Sequence, residues 1–128
     1  MLYIRADGNA EIGTGHVMRC LSIARAARSQ GTQCVFIVAD KNMAVLLDEQ
    51  GFRYICLDSV WNDLNRETAQ MERLIQKENI RLLLIDSYFV APEYLSRLHQ
   101  RLRQDMFAKR VPVICNQAAA SRVSTIDS

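Results

Sequence analysis

Short apolar runs alternate along the chain with longer segments in which apolar residues recur every three or four positions. Leu2 to Ala6 is the first such run, and it ends at the turn-prone Asp7-Gly8-Asn9, which predicts a strand leading into a loop. From Gly15 to Gln30, the residues Val17, Cys20, Leu21, Ala24 and Ala27 share one helical face, with Arg19, Ser22 and Ser29 elsewhere on the wheel and Gly31 at the C-cap. Cys34 to Ala39 is continuously apolar, as in a parallel strand buried on both faces, and it stops at Asp40. The alternation continues through a helix near Lys41 to Gln50 closed by Gly51, a strand Tyr54 to Leu57, and a helix near Arg66 to Glu78 with Met71, Leu74 and Ile75 inward. A strand Leu82 to Ile85 then runs into Asp86-Ser87-Tyr88, a helix starts at Pro92 with Leu95, Leu98 and Leu102 on one face, and Val111 to Cys115 is the last strand.

Strands separated by helices of this length require right-handed crossovers, so the pattern predicts a single α/β domain over residues 1–128. Its sheet is expected to be doubly wound, Rossmann-like and mostly parallel. With 128 residues, 49% hydrophobic and 23% charged, the chain has room for one such domain and for a core that needs no disulfide or metal. A net charge of +2, with basic and acidic residues interspersed, gives no reason to expect nucleic acid as a partner. No apolar run approaches the ~20 residues that cross a bilayer, so no membrane partner is expected. The opening Met1-Leu2-Tyr3-Ile4-Arg5 shows no secretory leader, and the expected location is cytoplasmic. Cys20, Cys34, Cys56 and Cys115 lie far apart, three of them in strand-like runs, and are read as reduced hydrophobic thiols; no metal site is expected.

Ligands of doubly wound sheets gather at the carboxyl ends of the strands. Three segments lie there: Arg5 to His16, Asp40 to Asn42, and Asp86 to Tyr88. In Ile12-Gly13-Thr14-Gly15-His16 two glycines stand where the backbone turns sharply and where a side chain would obstruct a ligand. A Walker loop is excluded, because Gly15-His16-Val17 stands where Gly-Lys-Ser/Thr is needed. A dinucleotide fingerprint lacks its third glycine at Met18, although Asp40 occupies the place of a ribose-binding acid. What remains is His16 in the first turn of a helix, whose positive end opposes protonation of the imidazole, so a neutral general base is one reading and a histidine packed against its loop the other. Asp7 either carries a carboxylate into the crevice or caps the turn with Gly8 and Asn9. At the strand rim, Asp86 is placed to orient His16 and Tyr88 to bond a ligand through its phenol, or both are plain loop residues. His99, beside Leu95, Leu98 and Leu102, is read as structural or exposed.

Ile4-Arg5-Ala6-Asp7-Gly8, followed by Ile12-Gly13-Thr14-Gly15-His16-Val17-Met18-Arg19-Cys20-Leu21, resembles the N-terminal signature of the UDP-sugar hydrolases of pseudaminic acid biosynthesis and of the related spore coat polysaccharide biosynthesis proteins. These belong to the glycosyltransferase B superfamily, whose members have two doubly wound domains with the substrate between them. The resemblance covers roughly the first hundred residues, through the Asp40 region and Leu82 to Tyr88, while residues 106–128 match poorly. It implies the N-terminal half of a glycosyltransferase B-type fold and hydrolysis of UDP-2,4-diacetamido-2,4,6-trideoxy-β-L-altropyranose to UDP and the free sugar, with water attacking the anomeric carbon. It further implies His16 as the catalytic base, Asp7, Gly13, Thr14, Gly15, Asp86 and Tyr88 on the sugar side of the cleft, and no organic or metal cofactor. The family's second, nucleotide-binding domain has no counterpart in these 128 residues. A shortened chain, a shifted reading frame or a naturally split protein would each give this pattern, and the candidate partners are a chain carrying the C-terminal domain or a second copy in a homodimer. The same resemblance admits a sugar transferase of the superfamily, and the half-fold admits a non-catalytic module that pairs with itself or another chain.

Overall fold

The computed structural model describes the backbone of residues 1–106, 110–117 and 120–127, and the side chains of residues 1–102. Strands β1 (Leu2–Ala6), β2 (Cys34–Val38), β3 (Arg53–Cys56) and β4 (Leu83–Asp86) are mutually parallel, and β5 (Arg110–Gln117) pairs in parallel with β4. The sheet runs in the order β3-β2-β1-β4-β5-β6, where β6 (Ala120–Asp127) is antiparallel to β5. Helices α1 (Gly15–Ser29), α2 (Ala44–Glu49), α3 (Thr68–Glu78) and α4 (Pro92–Met106) make the crossovers. The expected α/β, doubly wound, mostly parallel sheet is what the chain forms.

Differences from the sequence reading lie at boundaries and at the C-terminal end. α2 begins three residues later than the Lys41 start, and the segment opening at Arg66 resolves into a 3-10 turn, Leu64–Glu67, followed by α3. Gln30 is the C-cap of α1, with Gly31 just beyond it in the left-handed region at φ +87°. Val111 to Cys115, expected as the last strand, lies within the longer β5, and β6 follows it. The reading of Cys115 as a buried thiol lies outside the described side chains.

The apolar strands look unpatterned because both faces are covered, yet each face has its own core. Tyr3, Val35, Ile37, Leu83 and Ile85 pack with Met71, Ile75, Tyr94, Leu98 and Leu102 on the side of α3 and α4. Leu2, Ile4, Ala6, Phe36, Val38 and Leu84 pack with Val17, Cys20, Leu21 and Ala24 of α1 and with Leu47 of α2. Successive side chains of a strand point to opposite faces, so Arg5 belongs to the α3/α4 side and Asp86, two residues beyond Leu84, to the α1 side. Strand order reverses between β1 and β4, whose ends are in register at Ala6 and Asp86. A crevice at such a switch point is where ligands of open α/β sheets bind.

Candidate functional site

The loop from β1 to α1 is built by Asn9 and Gly13. The Asn9 Oδ1 accepts hydrogen bonds from the N–H groups of Glu11 (2.8 Å) and Ile12 (3.0 Å), and the Asn9 N–H donates to the Gly13 carbonyl at 3.2 Å. Gly13 sits at φ +74°, where a Cβ is strained. A side chain at Gly13 or Gly15 would meet no protein atom within 4 Å, so conformation demands the first glycine and neither makes room inside the chain. Gly13, Thr14 and Gly15 are exposed, and the first helical bond runs from the Met18 N–H to the Thr14 carbonyl at 2.9 Å. The N–H groups of Gly15, His16 and Val17 therefore stand ahead of the hydrogen-bond ladder at the positive end of α1.

His16, one residue into α1, is 4% exposed. Its Nδ1 lies 2.5 Å from Asp86 Oδ1, a contact that joins residues seventy apart. The Asp86 carboxylate, 2% exposed, also accepts the Arg19 Nε–H on Oδ2 (2.9 Å), an Arg19 Nη2–H on Oδ1 (2.8 Å) and the Cys20 thiol on Oδ2 (3.5 Å). Burial first, and then the Asp86 charge, push the Cys20 thiol far up, which keeps it a neutral donor. The hydrogen bond to Asp86 likewise raises Arg19 above the ordinary guanidinium value. A carboxylate only accepts, so the proton of a neutral His16 sits on Nδ1 and the lone pair on Nε2. That Nε2 is buried and has no hydrogen-bond partner among the described residues. The half-exposed ring of Tyr88 packs edge-on against the imidazole, with centroids 4.4 Å apart at 80°. From there an aromatic run leads through Phe89 to Trp61.

The structure thus brings His16, Asp86 and Tyr88 together at the β1/β4 crevice. Asp86 takes the orienting place rather than a substrate-lining one, because both its oxygens are filled by protein donors. Asp7 is engaged elsewhere: its Oδ2 accepts from Arg5 Nη1 at 2.7 Å and its Oδ1 from the Ala39 N–H at 2.8 Å. It neither caps the turn, which Asn9 closes, nor presents a free carboxylate to the crevice. Arg19 was legible only as a polar wheel position, and the signal that marks it is its place three residues after His16, one turn along the same face.

On the α3/α4 side of the sheet, at the end of β1, lies a second polar cluster that the sequence pattern does not announce. Arg5 is fully buried and forms a two-pronged pair with Glu67, Nε to Oε2 at 2.8 Å and Nη2 to Oε1 at 2.7 Å. Tyr94 donates its hydroxyl to Glu67 Oε2 at 2.8 Å, and Ser59 donates to Oε1 at 3.1 Å. Burial works against the Arg5 charge, but the bonds to Glu67 and the charges of Glu67 and Asp7 outweigh it and hold the guanidinium protonated. Burial, reinforced by Glu67 and opposed by Arg5, pushes the Tyr94 phenol well above its usual value. The folded chain then keeps this proton where the unfolded chain gives it up. The contribution is complete below about pH 10 and is lost as pH rises beyond it. Urea midpoints measured against pH are expected to fall on the alkaline side more steeply for the wild type than for Tyr94→Phe.

His99 on α4 is buried, with its Nε2 unpartnered among the described residues, and burial pushes its pKa down. Cys20, Cys34 and Cys56 are free thiols, and among the described residues no three His, Cys, Asp or Glu side chains converge as metal ligands would. No helix among the described residues is long and apolar enough to cross a membrane.

No model of a known protein family matches the chain, and no curated protein matches it either. Among solved structures, a glycosyltransferase from Rickettsia africae ESF-5 superposes with a TM-score of 0.55 at 16% identity over 76% of this chain. The match takes in 26% of that protein, so the chain spans about a quarter of its length. At this identity the likeness speaks for the fold: the chain has a Rossmann-like α/β fold similar to part of a glycosyltransferase.

Proposed function

We propose that this chain supplies the base-bearing half of a UDP-sugar hydrolase acting in nonulosonic acid or surface polysaccharide biosynthesis. The observation that carries the reading is His16 itself, with Nδ1 committed to Asp86 and a buried Nε2 left without a protein partner at the switch point of the sheet. A buried acceptor without a bond costs about 1–3 kcal/mol, a cost found where a group serves chemistry. In this reading Nε2 takes a proton from water as its oxygen bonds to the anomeric carbon. The carbon–oxygen bond to the diphosphate breaks, its electron pair leaves with UDP, and His16 returns the proton to solvent. Tyr88, half exposed on its loop, turns off the imidazole to admit the sugar and then lies against it. The loop of Gly13, Thr14 and Gly15 borders the same opening, and Asp7 acts only through Arg5 and the Ala39 amide.

Support comes from the resemblance of residues 4–21 to these hydrolases and from the glycosyltransferase-like fold. The fold neighbour also favours a second reading, a sugar transferase in which an acceptor hydroxyl replaces water at Nε2. In both readings the uridine and diphosphate contacts come from a second, nucleotide-binding domain outside these 128 residues. Phosphorus NMR of the chain with UDP-2,4-diacetamido-2,4,6-trideoxy-β-L-altropyranose is expected to show slow release of UDP above a protein-free control. Proton–nitrogen spectra should show the His16 ring resonances moving as the nucleotide sugar is added. No release together with unmoved His16 resonances would overturn the proposal, and release only on adding an acceptor alcohol would select the transferase.

A further inference from the structure

Arg19 lies at an exposed position of α1 one turn on from His16, yet its guanidinium turns inward onto a buried carboxylate. Its side chain is 47% exposed, whereas that of Asp86 is 2%. The fork is two-pronged, and Nη2 also stands 3.3 Å from His16 Nδ1. Guanidinium nitrogens have no lone pair to offer and the His16 Nδ1 proton points to Asp86, so this last approach is a cation held beside an imidazole rather than a hydrogen bond.

We propose that Arg19 is a positioning residue that keeps His16 in the neutral form bearing its proton on Nδ1, by matching the charge of Asp86. A buried carboxylate beside an imidazole has two ways to be neutralised: a second proton on the histidine, or another cation. With Arg19 in place the carboxylate and guanidinium cancel, and the imidazole needs no second proton. Without Arg19 the nearest group able to carry positive charge is His16, and a doubly protonated ring has no lone pair on Nε2. The other groups facing His16 leave this balance intact. Cys20, from α1, is a neutral thiol; Tyr88, from the loop after β4, presents a ring edge; and the free N–H groups at the start of α1 act in the same sense as Arg19. The bidentate fork also fixes the carboxylate plane and so the direction of the Nδ1 proton. The inference rests on reading His16 as the base, although its test does not require turnover.

The chain contains two histidines, so a nitrogen-15 spectrum of the imidazole rings holds His16 and His99 alone, the latter serving as a reference for folding. At neutral pH the wild type is expected to show His16 with one protonated and one bare nitrogen. Arg19→Gln is expected to lose the bare-nitrogen signal of His16, with His99 unmoved, and to regain it only at higher pH. Arg19→Lys, which keeps the charge and gives up the fork, is expected to retain the bare nitrogen. An unchanged His16 in Arg19→Gln overturns the proposal. So does a doubly protonated His16 in Arg19→Lys, which decides the matter even if the Gln variant does not fold. A wild-type His16 that already carries both protons overturns it as well. The expected signals in a chain that neither binds nor cleaves UDP-sugars would remove the hydrolase reading and leave the role of Arg19 standing.

Discussion

His16→Asn is expected to lower UDP release by about 10²–10⁴-fold, the range that one positioned general base contributes. Asparagine retains a polar head able to donate to Asp86, so the helix start and the Arg19–Asp86 pair keep their partners. It offers no basic nitrogen at the place of Nε2, and the attacking oxygen then has to shed its proton unaided. The loss should fall on kcat, with little change in KM, because the imidazole contributes to the transition state rather than to holding the nucleotide. The check is phosphorus NMR of both proteins under the same conditions, with Tm measured alongside. A variant that keeps the wild-type rate takes His16 out of the mechanism, and one that loses KM alone makes it a binding residue.

Glu67→Ala is expected to cost about 3–5 kcal/mol of folding stability, as do single deletions from buried ion pairs. Set against the 5–15 kcal/mol that holds a typical domain, that loss brings the chain close to unfolding. The reason lies in what remains. Arg5 keeps Asp7 at 2.7 Å but loses both bonds of its fork, while the hydroxyl of Tyr94 and that of Ser59 lose their acceptor. A fully buried guanidinium with half its partners gone is the costly item; the lost contacts of one glutamate side chain are a smaller one. Exchanging Arg5 and Glu67 together for apolar residues of similar volume should recover part of the loss, since a buried pair removed whole leaves no orphan charge. Urea denaturation of the single and double variants tests this, and a Glu67→Ala protein with an unmoved midpoint would show that Arg5 finds another partner or water.

This cluster sits where the crevice is assembled. Arg5 and Asp7 belong to the end of β1, Glu67 closes the 3-10 turn that leads into α3, Tyr94 comes from α4, and the Ala39 amide follows β2. Four segments are tied together on the α3/α4 face of the sheet, at the end of the strand that leads into the loop carrying His16. A site needs its first contacts held rigidly from behind, and here that backing is ionic because the strand end that bears the loop also bears Arg5.

The division between what was legible in the chain and what was not follows the range of the forces involved. Strand and helix alternation, the glycine-containing loop, and a histidine in the first turn of α1 are local facts. Each follows from periodicity, turn chemistry or capping within about fifteen residues, and the structure departs from that reading mainly at element ends. β6 escaped because its eight residues have no long apolar run, and an antiparallel edge strand needs only a neighbour to pair with. The chemistry of Asp86 was decided by parity. The carboxylate follows Ile85 on a strand buried on both sides, and a shift of one residue would have sent it toward α3 and α4 and away from His16. Likewise, nothing near Arg5 in sequence announces Glu67, sixty-two residues on, or the hydroxyl of Tyr94. The sequence by itself determined which residues could do chemistry. Strand order and register, set by packing across the whole sheet, decided that His16, Asp86 and Arg19 would meet and that Asp7 would be spent on Arg5.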